Sequence, residues 1–388
     1  MRIEMKRFLT KIKEAVMPAV AVLPLFGILA GLGYALCPAV MMGGEVTTAA
    51  NRIGWILSRS AGAIYDNRGF LVACTAGYIL SGRKPAGALG GLAGVLLFNS
   101  YSGIPFFTVF FPAVLDAPLS LSALYGTNAF TGLLLGWVAS LCVKRLPTNS
   151  HPVCSVMAGT AVLSAVSLIL IGTRIGLFHL IAAVGNMLAG GGVMGAAAFT
   201  GLNRLLSPFE LHRPLNYAVL SEAGAGDMSR FWAQVTEGDP GLYMSGFFPP
   251  MMFGIPAGCL FLSRKSGNRR FHIFILLTAV CAFACGLAEP FEYWLLLTSP
   301  AAYLGYVMIY VLSAWLAGIT GFRAGFACSA GFVDLLFSSA MPAAARTWLV
   351  LPLGLVCAGL FLLLFMRLCT GTGAVSDIIE TEDGEEHS

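Results

Sequence analysis

Runs of about twenty apolar residues recur through this 388-residue chain, and no water-facing globule can be built around so many of them. Ala15 to Leu36, Ala129 to Val143, Val153 to Gly172, Met244 to Leu262 and Trp348 to Met366 are the clearest. Such runs suit a hydrocarbon core of ~30 Å. Charged residues make up 11% of the chain, against roughly 25% in a soluble domain. That is too little charge to cover an aqueous surface. The runs lack strand-like alternation and exceed the length of barrel strands, so helices must satisfy the backbone within lipid. An all-α integral membrane protein is expected.

Charge placement sets the orientation. Arg2, Lys6, Arg7, Lys11 and Lys13 precede the first run, and further basic clusters fall at Arg83-Lys84, Lys144-Arg145 and Arg264-Lys265-Arg269-Arg270. Under the positive-inside rule all four regions, the N-terminus included, face the cytoplasm. The first run is too long for a signal peptide, so a retained helix is expected. Cys281 and Cys285, one helical turn apart, read either as a metal pair or as buried small hydrophobes. No histidine lies at ligand spacing, which favours the second. Neither metal, cofactor, disulfide framework nor nucleic-acid partner is expected. The aqueous segments are the first dozen residues, a connection around 213–242, and an acidic tail at 371–388 that reads as a disordered extension.

Glycine and proline are placed as in transporters. Ala86 to Gly94 and Ala189 to Gly195 are glycine-rich, while Pro249-Pro250, Gly254, Pro256 and Pro290 interrupt the second half. Small residues permit close helix packing in lipid, and interruptions expose backbone to a solute.

The informative residues are ionisable groups in apolar surroundings, each about 3 kcal/mol to insert on translocon scales. Glu289 and Glu292 stand in Gly286-Leu-Ala-Glu289-Pro290-Phe291-Glu292. The proline biases Glu289 away from helix. Carboxylates beside a helix break suit a polyhydroxyl ligand, because they accept strong hydrogen bonds from hydroxyls; ordinary loop acids would look the same. His212 follows a glycine-rich span and reads as either structural or ligand-binding. Asp334 reads as a helix cap or a site residue.

Several long segments, in order, resemble one family. Met17 to Pro24 resembles its first span, and Arg204-Leu-Leu-Ser-Pro208-Phe209-Glu210-Leu211-His212 with Asn216 resembles R-L-L-x-P-F-G-L-H-H-x-x-N. Gly241 to Pro256 is similar to S-G-F-F-P-x-M-M-F-G-L-P, Gly286 to Glu292 to G-[IV]-T-E-P-[IL]-E, and Ala324 to Asp334 to A-G-F-x-x-S-A-G-x-x-D. These belong to the membrane (IIC) component of phosphoenolpyruvate-dependent sugar phosphotransferase systems, in the glucose/N-acetylglucosamine/maltose branch. The wording of Gly226 to Phe231 is nearest the N-acetylglucosamine type.

The resemblance implies about ten transmembrane helices plus re-entrant hairpins, an N-terminal scaffold and dimerisation half at 1–200, and a transport half at 201–370. It implies a homodimer in the bacterial cytoplasmic membrane that binds and translocates a hexose or N-acetylhexosamine. Separate IIA and IIB proteins would then phosphorylate the sugar, so phosphotransferase activity belongs to the complex and no catalytic residue is expected here. Glu289 and His212 would hold sugar hydroxyls, with Asn216, Glu292, Arg204 and Asp334 completing the substrate-binding set. A divergent secondary transporter or membrane sensor with the same fold is the alternative. The chain departs from the pattern at Arg213 (histidine), Glu210 (glycine), Ala288 (threonine), Arg323 (histidine) and Asp66-Asn67-Arg68-Gly69 (N-L-P-L-L). Thr148 to Pro152 stands in place of F-F-x-G-[KR]-R, and neither a T-P-G-R-E run nor a IIB phosphocysteine motif is present.

Overall fold

The computed structural model describes residues 2–39, 44–110, 128–146, 152–221 and 226–371. The acidic tail beyond 371 and the Thr148 to His151 stretch lie outside the described residues. The helices in chain order are α1 (Arg2–Val20), α2 (Leu23–Leu36), α3 (Ala49–Tyr65), α4 (Arg68–Leu80), α5 (Pro85–Tyr101), α6 (Ile104–Phe110), α7 (Ala129–Arg145), α8 (Pro152–Ala189) and α9 (Gly192–Leu206). Then follow α10 (His212–Asn216), α11 (Asp227–Trp232), α12 (Leu242–Ser245), α13 (Ile255–Lys265), α14 (Arg269–Cys285), α15 (Glu289–Thr298), α16 (Pro300–Thr320), α17 (Phe332–Ser338) and α18 (Val350–Gly371). Among the described residues there is no strand, only an isolated antiparallel bridge between Arg323 and Ala345.

Five helical segments among the described residues are long and apolar enough to cross a membrane: Leu9–Leu36, Met157–Ala189, Leu242–Lys265, Pro300–Thr320 and Thr347–Leu368. The pair α5 and α6, bent by 57° at the break between them, makes a sixth if it is one broken span. The expected count of about ten is not reached this way. The remaining helices include α4 with 13 residues and α7 and α14 with 17 each. At 1.5 Å per residue these fall short of a ~30 Å core.

The chain forms two compact units, each assembled from separated pieces. The first comprises Met1–Val22, Ala63–Val184 and Pro208–Tyr217; the second comprises Leu23–Gly62, Gly185–Ser207 and Ala218–Ser388. In the first unit α4 packs against α1, α5 and α7. Its Gly69, Ala73 and Gly77, spaced by four, form one small-residue face. Gly87 and Gly91 of α5 and Gly132 and Gly136 of α7 press on that face so closely that a Cβ at Gly87 would strike the Gly77 carbonyl, and one at Gly132 the Gly69 carbonyl. Where lipid supplies no hydrophobic drive, such backbone-to-backbone packing holds helices together. Thr75 Oγ1 donates to Ala15 O at 2.7 Å, tying α1 to α4. Phe98, Phe107, Leu135 and Leu163 fill the adjoining core.

In the second unit α16 lies between α9 and α18, and α14 packs against α2 and α13. Its core is aromatic. The Tyr306 ring sits 6.0 Å from that of Phe291 and 5.8 Å from that of Phe361. The anticipated break at Pro249-Pro250 is a π-helical turn, Pro250–Gly254, leading into α13.

Candidate functional site

In the second unit, α14 ends at Gly286, whose φ of 67° closes the helix in the left-handed conformation open to glycine. Three residues later α15 begins at Glu289-Pro290. Against the bias that the proline sets, Glu289 is the first helical residue. First-turn N–H groups have no intrahelical acceptor, so the proline removes nothing there. Glu289 is half-buried.

Glu292, one turn further, is 1% exposed. Its Oε1 accepts from Arg204 Nη1 at 2.9 Å and Tyr306 OH at 2.6 Å, and its Oε2 from Ser207 Oγ at 2.6 Å. Arg204 donates through Nε and Nη2 to Asn203 Oδ1 at 3.1 and 2.7 Å, and lies over the rings of Phe247 and Tyr310 at 5.1 and 5.5 Å. Tyr303 OH donates to the Arg204 carbonyl. A buried carboxylate and guanidinium thus meet partners on every side, as burial of charge demands. Asn203, Ser207, Tyr303 and Tyr306 were not anticipated. The spacing of Tyr303, Tyr306 and Tyr310 by three and four residues puts them on one face of α16, a signal the sequence carried.

Asp334 behaves as an organiser of backbone. Its carboxylate accepts from the N–H of Ala327 at 2.6 Å, Cys328 at 3.3 Å and Ser329 at 3.4 Å. Ser329 Oγ then donates to Gly286 O at 2.6 Å. The loop before α17 is therefore clamped onto the residues immediately ahead of Glu289.

Two further carboxylates fix loops. Asp227 accepts from Gly241 N at 2.8 Å and Tyr243 N at 2.9 Å. Burial pushes its carboxyl up to about 6, against the pull of those two donors and of Arg230, with Asp239 adding to the rise. Arg323 donates through Nε and Nη2 to Asp239 at 2.5 and 2.6 Å, and through Nη1 to the carbonyls of Ala317 and Phe322. This departure from the family pattern thus arrives with its own carboxylate.

In the first unit, His212 and Asn216 open and close α10. Four apart, they share one helical face, and both are part-exposed. Glu210, just before them, has φ of 53° and is 3% exposed. Its carboxylate meets Arg68 at 2.6 Å and Arg213 at 3.2 Å. Asn128 caps α7 by accepting from Thr131 N at 2.6 Å and donates through Nδ2 to Phe209 O at 3.3 Å. Of the expected residues, the structure brings Arg204 and Glu292 into direct contact, sets His212 with Asn216, and places Glu289 and Asp334 on either side of the Gly286–Ser329 clamp. Among the described residues no group of histidine, cysteine or carboxylate could hold a metal ion.

The family model for the phosphotransferase system EIIC matches residues 13–344. The chain belongs to the phosphotransferase system EIIC family. It is 35% identical over 201 residues to the N-acetylglucosamine-specific EIICBA component of Klebsiella pneumoniae, covering 48% of this chain and 31% of that protein. It is 27% identical over 405 residues to the N-acetylglucosamine-specific EIICB component of Bacillus subtilis (strain 168), covering 98% and 81%. To the glucose-specific EIICBA component of Staphylococcus carnosus (strain TM300) it is 26% identical over 400 residues, covering 93% and 58%. The match spans about a third of the Klebsiella protein. EIIC chains are multi-pass membrane proteins of bacteria, which agrees with the apolar helices. In this EIIC chain the Glu-Pro-Phe-Glu segment divides its two acids between a half-buried position and a saturated, buried one.

Proposed function

We propose that this EIIC chain binds a hexose or N-acetylhexosamine and carries it across the cytoplasmic membrane for phosphorylation by a separate IIB protein, itself charged by IIA. The observation that carries the reading is the setting of Glu289. It is part-exposed at the start of α15, in an otherwise apolar segment, and the turn before it is pinned by Ser329 and Asp334. A carboxylate held there accepts hydrogen bonds from neutral hydroxyls without reorganising. His212 and Asn216 donate to and accept from further hydroxyls. Arg204, Glu292 and Asp334 support the reading by fixing the elements that carry the contacts.

Phosphotransferase activity belongs to the complex with IIA and IIB. The protein acts as a homodimer with its N-terminus in the cytoplasm; residues 1–200 supply scaffold and dimerisation and residues 201–370 transport. The test is calorimetric titration of purified protein with N-acetylglucosamine and with glucose. Saturable binding to wild type, lost in Glu289→Ala with thermal unfolding unchanged, is expected. Unchanged affinity in that variant sinks the site. Uptake into vesicles that needs no phosphoryl donor and collapses with an uncoupler sinks the phosphotransferase coupling.

A further inference from the structure

Arg68 is an unusual residue for its place. It is the first residue of α4, 3% exposed, at the end of the helix where the backbone dipole is positive. A cation there is disfavoured twice, by burial and by the dipole. Nη1 donates to Tyr65 O at 2.8 Å, and the guanidinium lies 5.3 Å from the Tyr65 ring centroid, but neither carries a negative charge. The charge comes from Glu210, at 2.6 Å and with 2% of its side chain exposed.

Glu210 is equally out of place alone. It is a buried carboxylate, and its φ of 53° is one that non-glycine residues adopt at a penalty. Its second oxygen meets Arg213, whose side chain is 31% exposed, at 3.2 Å. His212 lies between these two residues in sequence. The segment is also tied by the Asn128 hydrogen bond to Phe209 O, by the edge-to-face contact of Phe209 with Phe130 at 5.3 Å and by the Tyr217 ring 6.5 Å from that of Phe178. The ion pairs of Glu210 join the residue two before His212 both to α4 and to the residue just after His212.

We propose that Arg68, Glu210 and Arg213 form an ion clasp that sets the place of the His212–Asn216 segment, which makes Arg68 a positioning residue for sugar binding. The inference rests on the reading that His212 holds sugar. The clasp is a compensated unit. Removing Glu210 takes the counter-ion from buried Arg68, and removing Arg68 takes the nearer, buried cation from Glu210 and leaves it the part-exposed Arg213 at 3.2 Å, whereas an apolar residue at 68 together with glycine at 210 removes both buried charges and the backbone penalty.

The test compares full-length wild type with Arg68→Leu, Glu210→Gly and the double variant, in detergent, by two readouts. Amide hydrogen exchange over residues 208–217 needs no sugar. Each single variant should speed it at least about tenfold relative to α7, and the double should return it to within about threefold of wild type. The dissociation constant for N-acetylglucosamine should follow the same pattern. Unchanged exchange in the single variants, or a double variant no better than the worse single one, overturns the clasp. Fast exchange with wild-type affinity overturns the positioning role while leaving the ion pairs structural. Wild type that binds no N-acetylglucosamine, with the exchange pattern intact, fails the sugar reading and not the clasp. Should Arg68→Leu not fold, recovery of folding in the double variant is the compensation expected, and its failure to fold counts against it. Arg213→Gln, part-exposed and leaving Arg68 paired, should raise both readouts by about threefold.

Discussion

Glu289 and Glu292 are one helical turn apart, of the same chemical type and in the same short segment, yet their surroundings assign them opposite work. Removing the carboxylate of Glu292 leaves Arg204 charged, buried and without its counter-ion. Glu292→Ala should lower stability by about 3–5 kcal/mol, read as a fall in detergent melting temperature. Glu289→Ala should leave that temperature in place and abolish sugar affinity. The sequence shows two acids beside a proline but not which is saturated, because the deciding partners, Ser207 and Tyr306, stand 85 and 14 positions away. Asp227 offers a test by pH. Its folded value of about 6 lies above the ordinary carboxylate value of 3.8, so the folded protein binds the proton more readily than the unfolded chain. Its contribution to stability therefore falls as pH rises from about 4 to about 6 and is level above that. Asp227→Asn should flatten this part of the melting-temperature profile; an unchanged slope would show that Asp227 does not titrate there.

The seam of α4, α5 and α7 is made of backbone. Leucine at Gly132, where even a Cβ strikes the Gly69 carbonyl, has no flexible neighbour to displace. Gly132→Leu should cost about 1–3 kcal/mol or more, whereas leucine at Gly172, with nothing within 4 Å, should be tolerated. Melting temperatures of the two variants, measured side by side, decide it. The glycine density of these segments announced close packing; which helix each glycine meets was not legible, since small residues carry no directional pattern. The Pro249-Pro250 interruption was foreseen, as was the importance of the Glu-Pro segment, though not the start of a helix at Glu289. The arginines at 68, 213 and 323 stood out only as departures. Their partners Glu210 and Asp239 made sense of them, and those pairings join positions 142, 3 and 84 apart.

Membrane class follows from composition, because so small a charged fraction excludes an aqueous surface whatever the fold. The placement of the cations gives an expected orientation. Reporter fusions at the N-terminus and after Lys84, Arg145 and Arg270 should all report the cytoplasm; an external signal at any of them would break the topology. The number of spans was less legible, because helices such as α4 with 13 residues blur the link between hydropathy and crossing.

The division of the chain has a consequence in time. The second unit takes its first piece from Leu23–Gly62 and the rest from beyond residue 184. Helix α2, whose Gly31 is shaped to Cys285 of α14, emerges some 233 residues before α14 begins, counting from Leu36 to Arg269. At a synthesis rate of about 5–20 residues per second, α2 waits on the order of ten to fifty seconds before Cys285 can meet its Gly31. Cys285 is not there to meet Gly31 during that interval, so slowing the ribosome between codons 62 and 185 should lengthen the window in which α2 can be crosslinked to the insertion machinery.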